Sequence, residues 1–431
     1  MVEIDPSRLH GSLRAPVLGS LSFLNEVMGR FPEAISFAPG APHPETLPGA
    51  DLQRYTDRYL AHLRERGTSP ERARRTLYEY GPSRGLVNDV VSEALWRDHR
   101  IGCAPEELVI TVGAQEAMLL VLRALFASAD DLLAVANPCF VGITGAARLL
   151  DIDVVPVDET EQGIDLDRLA QECRAARRQG RAIRALYVAP DFSNPGGTRM
   201  SLECRRGLLD LAEREDFHVL EDNAYGFTAG AGTELPPLKA LDTRRRVIHI
   251  GTFAKVAFPG ARVGYVVADQ RVGSGSGGTR PLAAELAALK TMVTVNTSPL
   301  AQAVIAGMLL EHGGSLVELS RRKAVLYQRN LTALTEALEH ELGGGRVPPG
   351  IRWNRPEGGF FIRVHLPVRA DTRLLEVSAA KYGVLWTPMD QFYLDGAGDT
   401  QMRLSCSYLD RGQIEEGVRR LAAFLTKEIR G

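Results

Sequence analysis

Between residues 105 and 270 the chain alternates short, almost wholly apolar runs with longer stretches whose apolar positions recur at helical spacing. The runs at 108–112, 132–136, 153–157, 185–189, 218–221, 247–250 and 263–268 read as strands; 114–127, 165–178 and 201–216 read as helices. Strands without polar alternation are buried on both faces. This order therefore predicts an α/β fold with a mostly parallel mixed sheet covered by helices. The Gly/Ser-rich segment 271–280 has almost no core character and predicts a mobile surface loop. Helical patterns follow at 281–294, 298–312 and 315–342, the last bridging into a smaller α+β domain. That domain has expected strands at 359–364 and 401–405 and helices at 371–381 and 411–427. The first 50 residues, with Pro and Gly turns at 37–42, read as an arm. The expected organisation is an arm (1–50), a large domain (51–314) and a small C-terminal domain (315–431), without internal repeats.

Composition narrows the classes of partner. A chain of 431 residues exceeds one typical domain, and 45% hydrophobic residues can fill large cores. A formal net charge of -2 gives no reason to expect nucleic acid or an acidic membrane surface. The arginine runs at 72–75 and 244–246 read as solvated faces. Cysteines 103, 139, 173, 204 and 406 are odd in number and form no CxxC pair, which favours a reducing cytoplasm over a disulfide framework. No stretch approaches the roughly 18 apolar residues needed to span a bilayer. The opening Met1-Val-Glu-Ile-Asp-Pro lacks the basic-then-apolar order of a signal peptide. The nine histidines show no HExxH or other ligand spacing, so no metal is expected.

In sheets of this kind ligands bind beyond the carboxyl ends of the strands. Gly113, Ala114 and Gln115, then Asn194, Asp222 and Lys255, each closely follow an expected strand. Lys255 lies in a loop between two apolar strands, with Pro259-Gly260 forcing a turn. A lysine held there can form a Schiff base while Thr252 and Arg262 meet a phosphate, which is what an enzyme needs to hold pyridoxal 5'-phosphate. That cofactor withdraws electrons only while its ring nitrogen is protonated, so a carboxylate should face it. Asp222 fits this role; it also fits a turn or cap. Tyr225 suits a hydrogen bond to the ring hydroxyl oxygen, or simply caps a strand edge. Asn194 can reach the same oxygen, although Asn194-Pro-Gly-Gly197 is also good turn chemistry. Gly113, Ala114 and Gln115 open a helix whose N–H groups suit a phosphate, though such turns are common. Phe140 either stacks on a pyridine face or packs in the core. Arg403 is odd company on its apolar strand. Its planar fork suits a substrate carboxylate, or it faces outward.

Together these residues resemble the fold type I, pyridoxal-phosphate-dependent enzymes of the class I/II aminotransferase family. YGPSRG (80–85), TVGAQEAM (111–118), NPGG (194–197), EDNAYG (221–226), the lysine loop and Arg403 occur in family order. The resemblance implies a homodimer with its active sites at the subunit interface. It assigns Lys255 to the Schiff base, Asp222 to the ring nitrogen, Asn194 and Tyr225 to the ring oxygen, and Phe140 to stacking. It gives the phosphate to Gly113, Ala114, Gln115, Thr252 and Arg262, with Tyr80 reaching the partner subunit's phosphate, and the substrate α-carboxylate to Arg403 with Asn194. Ala254 stands where the family often has serine, which leaves Thr252 near the cofactor. Stretches at 22–26, 35–40, 290–299 and 384–388 look similar to transaminases that make 3,5-dihydroxyphenylglycine and 4-hydroxyphenylglycine for peptide antibiotics.

The expected activity is ping-pong transfer of an amino group between an α-amino acid and a 2-oxo acid, with Lys255 as the base at Cα. An alternative runs elimination, replacement, cyclisation or oxidation from the same deprotonated carbon. A transcription regulator built on this fold needs a DNA-binding segment ahead of it, and the roughly 50 residues before the helix at 51–66 are not basic. Trp386, Phe392 and Tyr393 are expected near the pocket mouth, where they would suit an aromatic side chain.

Overall fold

The computed structural model describes residues 4–15, 19, 26–27, 29–47, 51–273, 277–345 and 348–429. Residues 1–3, 22–25 of the 22–26 stretch, and 274–276 of the Gly/Ser segment lie outside the described residues. The large domain is built on β1 (Leu108–Thr111), β2 (Asp131–Asn137), β3 (Asp153–Thr160) and β4 (Gly163–Ile164). These are joined by β5 (Ala182–Val188), β6 (His218–Asn223), β7 (Val247–Thr252) and β8 (Gly264–Val267). Their order in the sheet is β1-β8-β7-β6-β5-β2-β3-β4. Strands β3, β2, β5, β6 and β7 run parallel. β8 is antiparallel to both β1 and β7, and β4 to β3.

Every residue of β2 is buried, and successive side chains go to opposite cores. Leu133 and Val135 join Leu122, Ile143 and Leu286 of the helices Gly113–Leu125, Val141–Leu149 and Leu282–Val293. Leu132 and Ala134 join Leu169 and Leu208 of Leu166–Arg178 and Leu202–Glu215. A sheet covered on both faces leaves only its strand ends for a ligand. The carboxyl ends of β5, β6 and β7 meet along one edge, and the helix after β1 opens there too.

Helix Leu316–Leu342 leads into the small domain. Its antiparallel sheet has the order β9 (Arg352–Trp353), β10 (Phe361–His365), β12 (Gln401–Ser405) and β11 (Thr387–Pro388), backed by helix Arg411–Glu428. Ile35–Ser36 adds a parallel strand to Val384–Leu385, Phe37 is buried in that core, and Ser405 N donates to the Phe37 carbonyl at 2.8 Å.

Three local expectations need correction. The segment expected to be a loop at 271–280 pairs its ends as a ladder, Arg271–Gly273 against Thr279–Pro281; backbone pairing does not require apolar side chains. The helix expected over 371–381 is α-helical only over Thr372–Val377 and then widens into a π turn, Ser378–Tyr382, stopped by Gly383 at φ +65°. Trp386 is not at a pocket mouth. It is fully buried beside Phe424 in the small-domain core.

Candidate active site

Lys255 sits on a single helical turn, Phe253–Val256, directly after β7. Thr252 caps that turn, its Oγ1 accepting from Ala254 N at 3.1 Å. Phe253 and Val263 are buried, and Phe253 N donates to the Val263 carbonyl at 3.0 Å, so the loop is pinned at both ends. The Lys255 amine donates to the carbonyl of Gly40 in the arm. Burial, then the positive field of Arg403, lower this amine to about 8; Asp222 opposes that shift and Arg262 adds to it.

Asp222 comes from the end of β6, opposite Ile250 of β7. Its carboxyl is buried, which raises it to about 6 against the opposing pull of a Tyr187 hydrogen bond, His249 and Lys255. Tyr187 Oη donates to Oδ2 at 2.6 Å, whereas Oδ1 is buried without a partner among the described residues. An unpaired buried acceptor is costly unless something arrives to meet it.

Above this floor stands Arg403, buried on β12. It donates from Nη1 to Asn194 Oδ1 at 2.7 Å, and from Nη2 to the Ala38 carbonyl at 2.8 Å and Thr387 Oγ1 at 3.3 Å. Its guanidinium lies over Phe361 (4.4 Å) and Phe392 (5.1 Å), and Nε has no hydrogen-bond partner among the described residues. Among the described residues no carboxylate pairs with it. Burial lowers it to about 10, so it stays cationic at neutral pH. Tyr225 is buried with its ring edge-on to Phe360 and Phe361, and burial raises its hydroxyl.

The fourth wall is the start of helix Gly113–Leu125. Gly113 has φ +73°, and a Cβ there would lie 2.6 Å from Arg262 Nη2, so the guanidinium rests against the helix N-terminus. The N–H groups of a first helical turn have no partners within the helix. Gln115 turns its side-chain amide away, to the Gly142 carbonyl at 2.8 Å. One cavity of about 300 Å³ is lined by Ala114, Gln115, Phe140, Asn194, Asp222, Tyr225, Thr252, Lys255, Arg262 and Arg403.

The profile of the family described as aminotransferase class I and II matches residues 55–421. The chain is 46% identical over 430 residues to the (S)-3,5-dihydroxyphenylglycine transaminase of Amycolatopsis orientalis, covering 99% of this chain and 96% of that one. This chain is a class I and II aminotransferase. Solved relatives agree in fold. The kynurenine aminotransferase of Pyrococcus horikoshii, in complex with PMP, superposes with a TM-score of 0.80 at 27% identity, covering 99% of this chain and 98% of that one. The α-aminoadipate aminotransferase of Thermus thermophilus, complexed with N-(5'-phosphopyridoxyl)-L-leucine, gives 0.76 at 30%, covering 97% and 98%.

The cofactor of this aminotransferase is pyridoxal 5'-phosphate, and its reaction is transamination of amino acids. The residues present fit that group. Asp222 Oδ1 is a buried acceptor open to a ring N–H, and the Gly113 turn under Arg262 suits a phosphate.

Ten of the residues expected to hold the cofactor or the substrate carboxylate line the one cavity, and Gly113 lies directly behind Arg262. Tyr80 is not among them; it is 89% exposed on the surface of the chain. Phe392 lines the cavity, but the Tyr393 hydroxyl accepts from Arg363 and donates to Gln401 outside it. Tyr187, Met118 and the carbonyls of Ala38 and Gly40 also belong to the site, although nothing in the sequence marks them. The two carbonyls carry no side-chain signal. Tyr187 looked like any strand aromatic until β5 and β6 lay side by side.

Proposed function

We propose that this aminotransferase works as a homodimer on aromatic amino acids of the arylglycine type, in secondary metabolism such as antibiotic biosynthesis. When bound, pyridoxal 5'-phosphate supplies an aldehyde that captures amino groups and a ring that withdraws electrons from Cα. Lys255 would anchor it covalently and would serve as the base that takes the proton from the substrate Cα. Asp222 holds the proton on the ring nitrogen. Asn194 and Tyr225 meet the ring oxygen, and Phe140 covers the ring face. Gly113, Ala114, Gln115, Thr252 and Arg262 hold the phosphate, joined by the partner subunit's Tyr80. Arg403, set by Asn194, orients the substrate carboxylate.

One observation carries the reading: a carboxylate oxygen and a buried cation that, among the described residues, lack a donor and a carboxylate respectively share a single cavity with a lysine amine at about 8. The arylglycine assignment is supported by the 46% relative and by the Phe140, Phe392, Val141 and Met118 walls. The dimer is supported by exposed Tyr78, Tyr80, Met292, Val293, Val295 and Leu300; Ser83 and Thr291, 2.9 Å apart, join these two segments. Five free cysteines support a cytoplasmic location.

A donor panel tests substrate class. Phenylglycine and its hydroxylated forms should give the highest kcat/KM, with one aminated acceptor formed per 2-oxo acid released. Preference for an aliphatic dicarboxylate would overturn the substrate, and donor loss without an aminated acceptor would overturn transfer itself. A second expectation concerns capture of the cofactor by the apoenzyme, which requires a neutral amine. Its rate should rise roughly tenfold per pH unit below about 8 and level off above. Stopped-flow absorbance checks this; an inflection at the ordinary lysine value of 10.5 would contradict it.

A further inference from the structure

Tyr187 is buried on β5 beside Leu220 of β6, one residue further from the strand end than Val188, which faces Glu221. Its hydroxyl reaches Asp222 Oδ2 on neighbouring β6, 2.6 Å away, and Tyr187 lines the cavity. Besides Tyr187, the titratable groups facing Asp222 are Lys255 from the loop, Tyr225 just after β6, and Glu221 and His249 from β6 and β7. Glu221 is already occupied, accepting from Leu238 N (2.6 Å), Lys239 N (3.0 Å) and His249 Nδ1 (2.8 Å). That leaves Tyr187 as the hydrogen-bond donor to Asp222 among the described residues. A donor on one carboxylate oxygen does two things. It fixes the plane of the group, so that Oδ1 faces the cavity, and it favours the ionised form against the opposing effect of burial.

We propose that Tyr187 is a positioning residue for the cofactor: its hydroxyl locks Asp222 in the orientation and charge state that keep the pyridine nitrogen protonated. The proposal rests on the reading that Asp222 meets that nitrogen. Nothing in the β5 sequence marks Tyr187 for this; its role follows from the strand order and the 2.6 Å contact.

The test compares wild type and Tyr187→Phe, each reconstituted from apoenzyme with pyridoxal 5'-phosphate or with an analogue carrying CH in place of the ring nitrogen. Wild type should prefer the natural cofactor. Tyr187→Phe should lose about tenfold to a hundredfold in affinity for it, the range for one hydrogen bond to a charged group, and little for the analogue. Its kcat should fall while KM for the amino acid stays unchanged. Tyr187→His keeps a donor and should fall between the two. Equal losses for both cofactors would mean plain packing and would overturn the proposal, as would wild-type affinities in Tyr187→Phe. Should the phenylalanine variant not fold, the histidine variant decides: loss of all discrimination there counts against it, and retained preference for the natural cofactor supports it. Wild type that fails to distinguish the two cofactors would instead sink the Asp222 reading, separately from Tyr187.

Discussion

Lys255→Ala is expected to lower turnover by about 10⁴-fold or more and to abolish the visible band of the lysine-bound cofactor. A positioned base alone contributes about 10²- to 10⁴-fold, and loss of covalent capture adds to that. No neighbouring amine can stand in. Lys323, on the bridging helix, lies behind the same loop, where its buried Nζ donates to the Ala257 carbonyl. The fold should survive, since alanine suits the helical turn Phe253–Val256 and the loop is held by Phe253 and Val263. Far-UV circular dichroism and absorbance of the purified variant check both halves. Undiminished turnover would remove the basis of the mechanism.

The large domain was legible because its strands are uninterrupted apolar runs, and such runs have few other ways to be buried. Helix Val141–Leu149 was not, because it is short and carries Gly142 and Gly145, which are poor helix formers. Trp386 misled because an aromatic near a strand end reads the same whether it faces a ligand or a core. In the cavity, residues of distinctive chemistry stood out: a lysine in a tight loop, an aspartate at a strand end and an arginine on an apolar strand. What they touch was not legible. Arg403 and Asn194 are 209 positions apart, and Lys255 meets Gly40 across 215. Those pairings are products of topology, set when the small-domain sheet and the arm close over the strand ends of the large one.

The arm thus contributes backbone rather than side chains to the site. Ala38 and Gly40 offer carbonyls to Arg403 and Lys255, and Ile35–Ser36 pairs with Val384–Leu385 of the small domain. Gly40 is required there: a Cβ at that position would come within 2.8 Å of the Phe361 ring, the same ring that Arg403 covers. A carboxylate binds a guanidinium more strongly than a neutral carbonyl does, so a substrate carboxylate can displace the Ala38 carbonyl from Arg403.

Arg403→Lys is expected to lower kcat/KM about thirtyfold or more, and Arg403→Met toward several-thousandfold, with the cofactor band intact in both. The figures follow from the roughly 2–5 kcal/mol that removing one member of a buried, hydrogen-bonded charge pair costs. Arg403 is desolvated before substrate arrives; among the described residues Nε is unpartnered and its other nitrogens meet only carbonyl, amide and hydroxyl oxygens. A buried cation in that state is under-compensated, and a carboxylate relieves it through two parallel bonds that a lysine cannot form. The loss should appear mainly in KM, equally for the amino acid and the 2-oxo acid, because both present the same carboxylate. Arylmethylamines, which have none, provide the control: wild type and variants should process them alike. Equal impairment on those amines would mean that Arg403 holds the cavity together rather than the substrate.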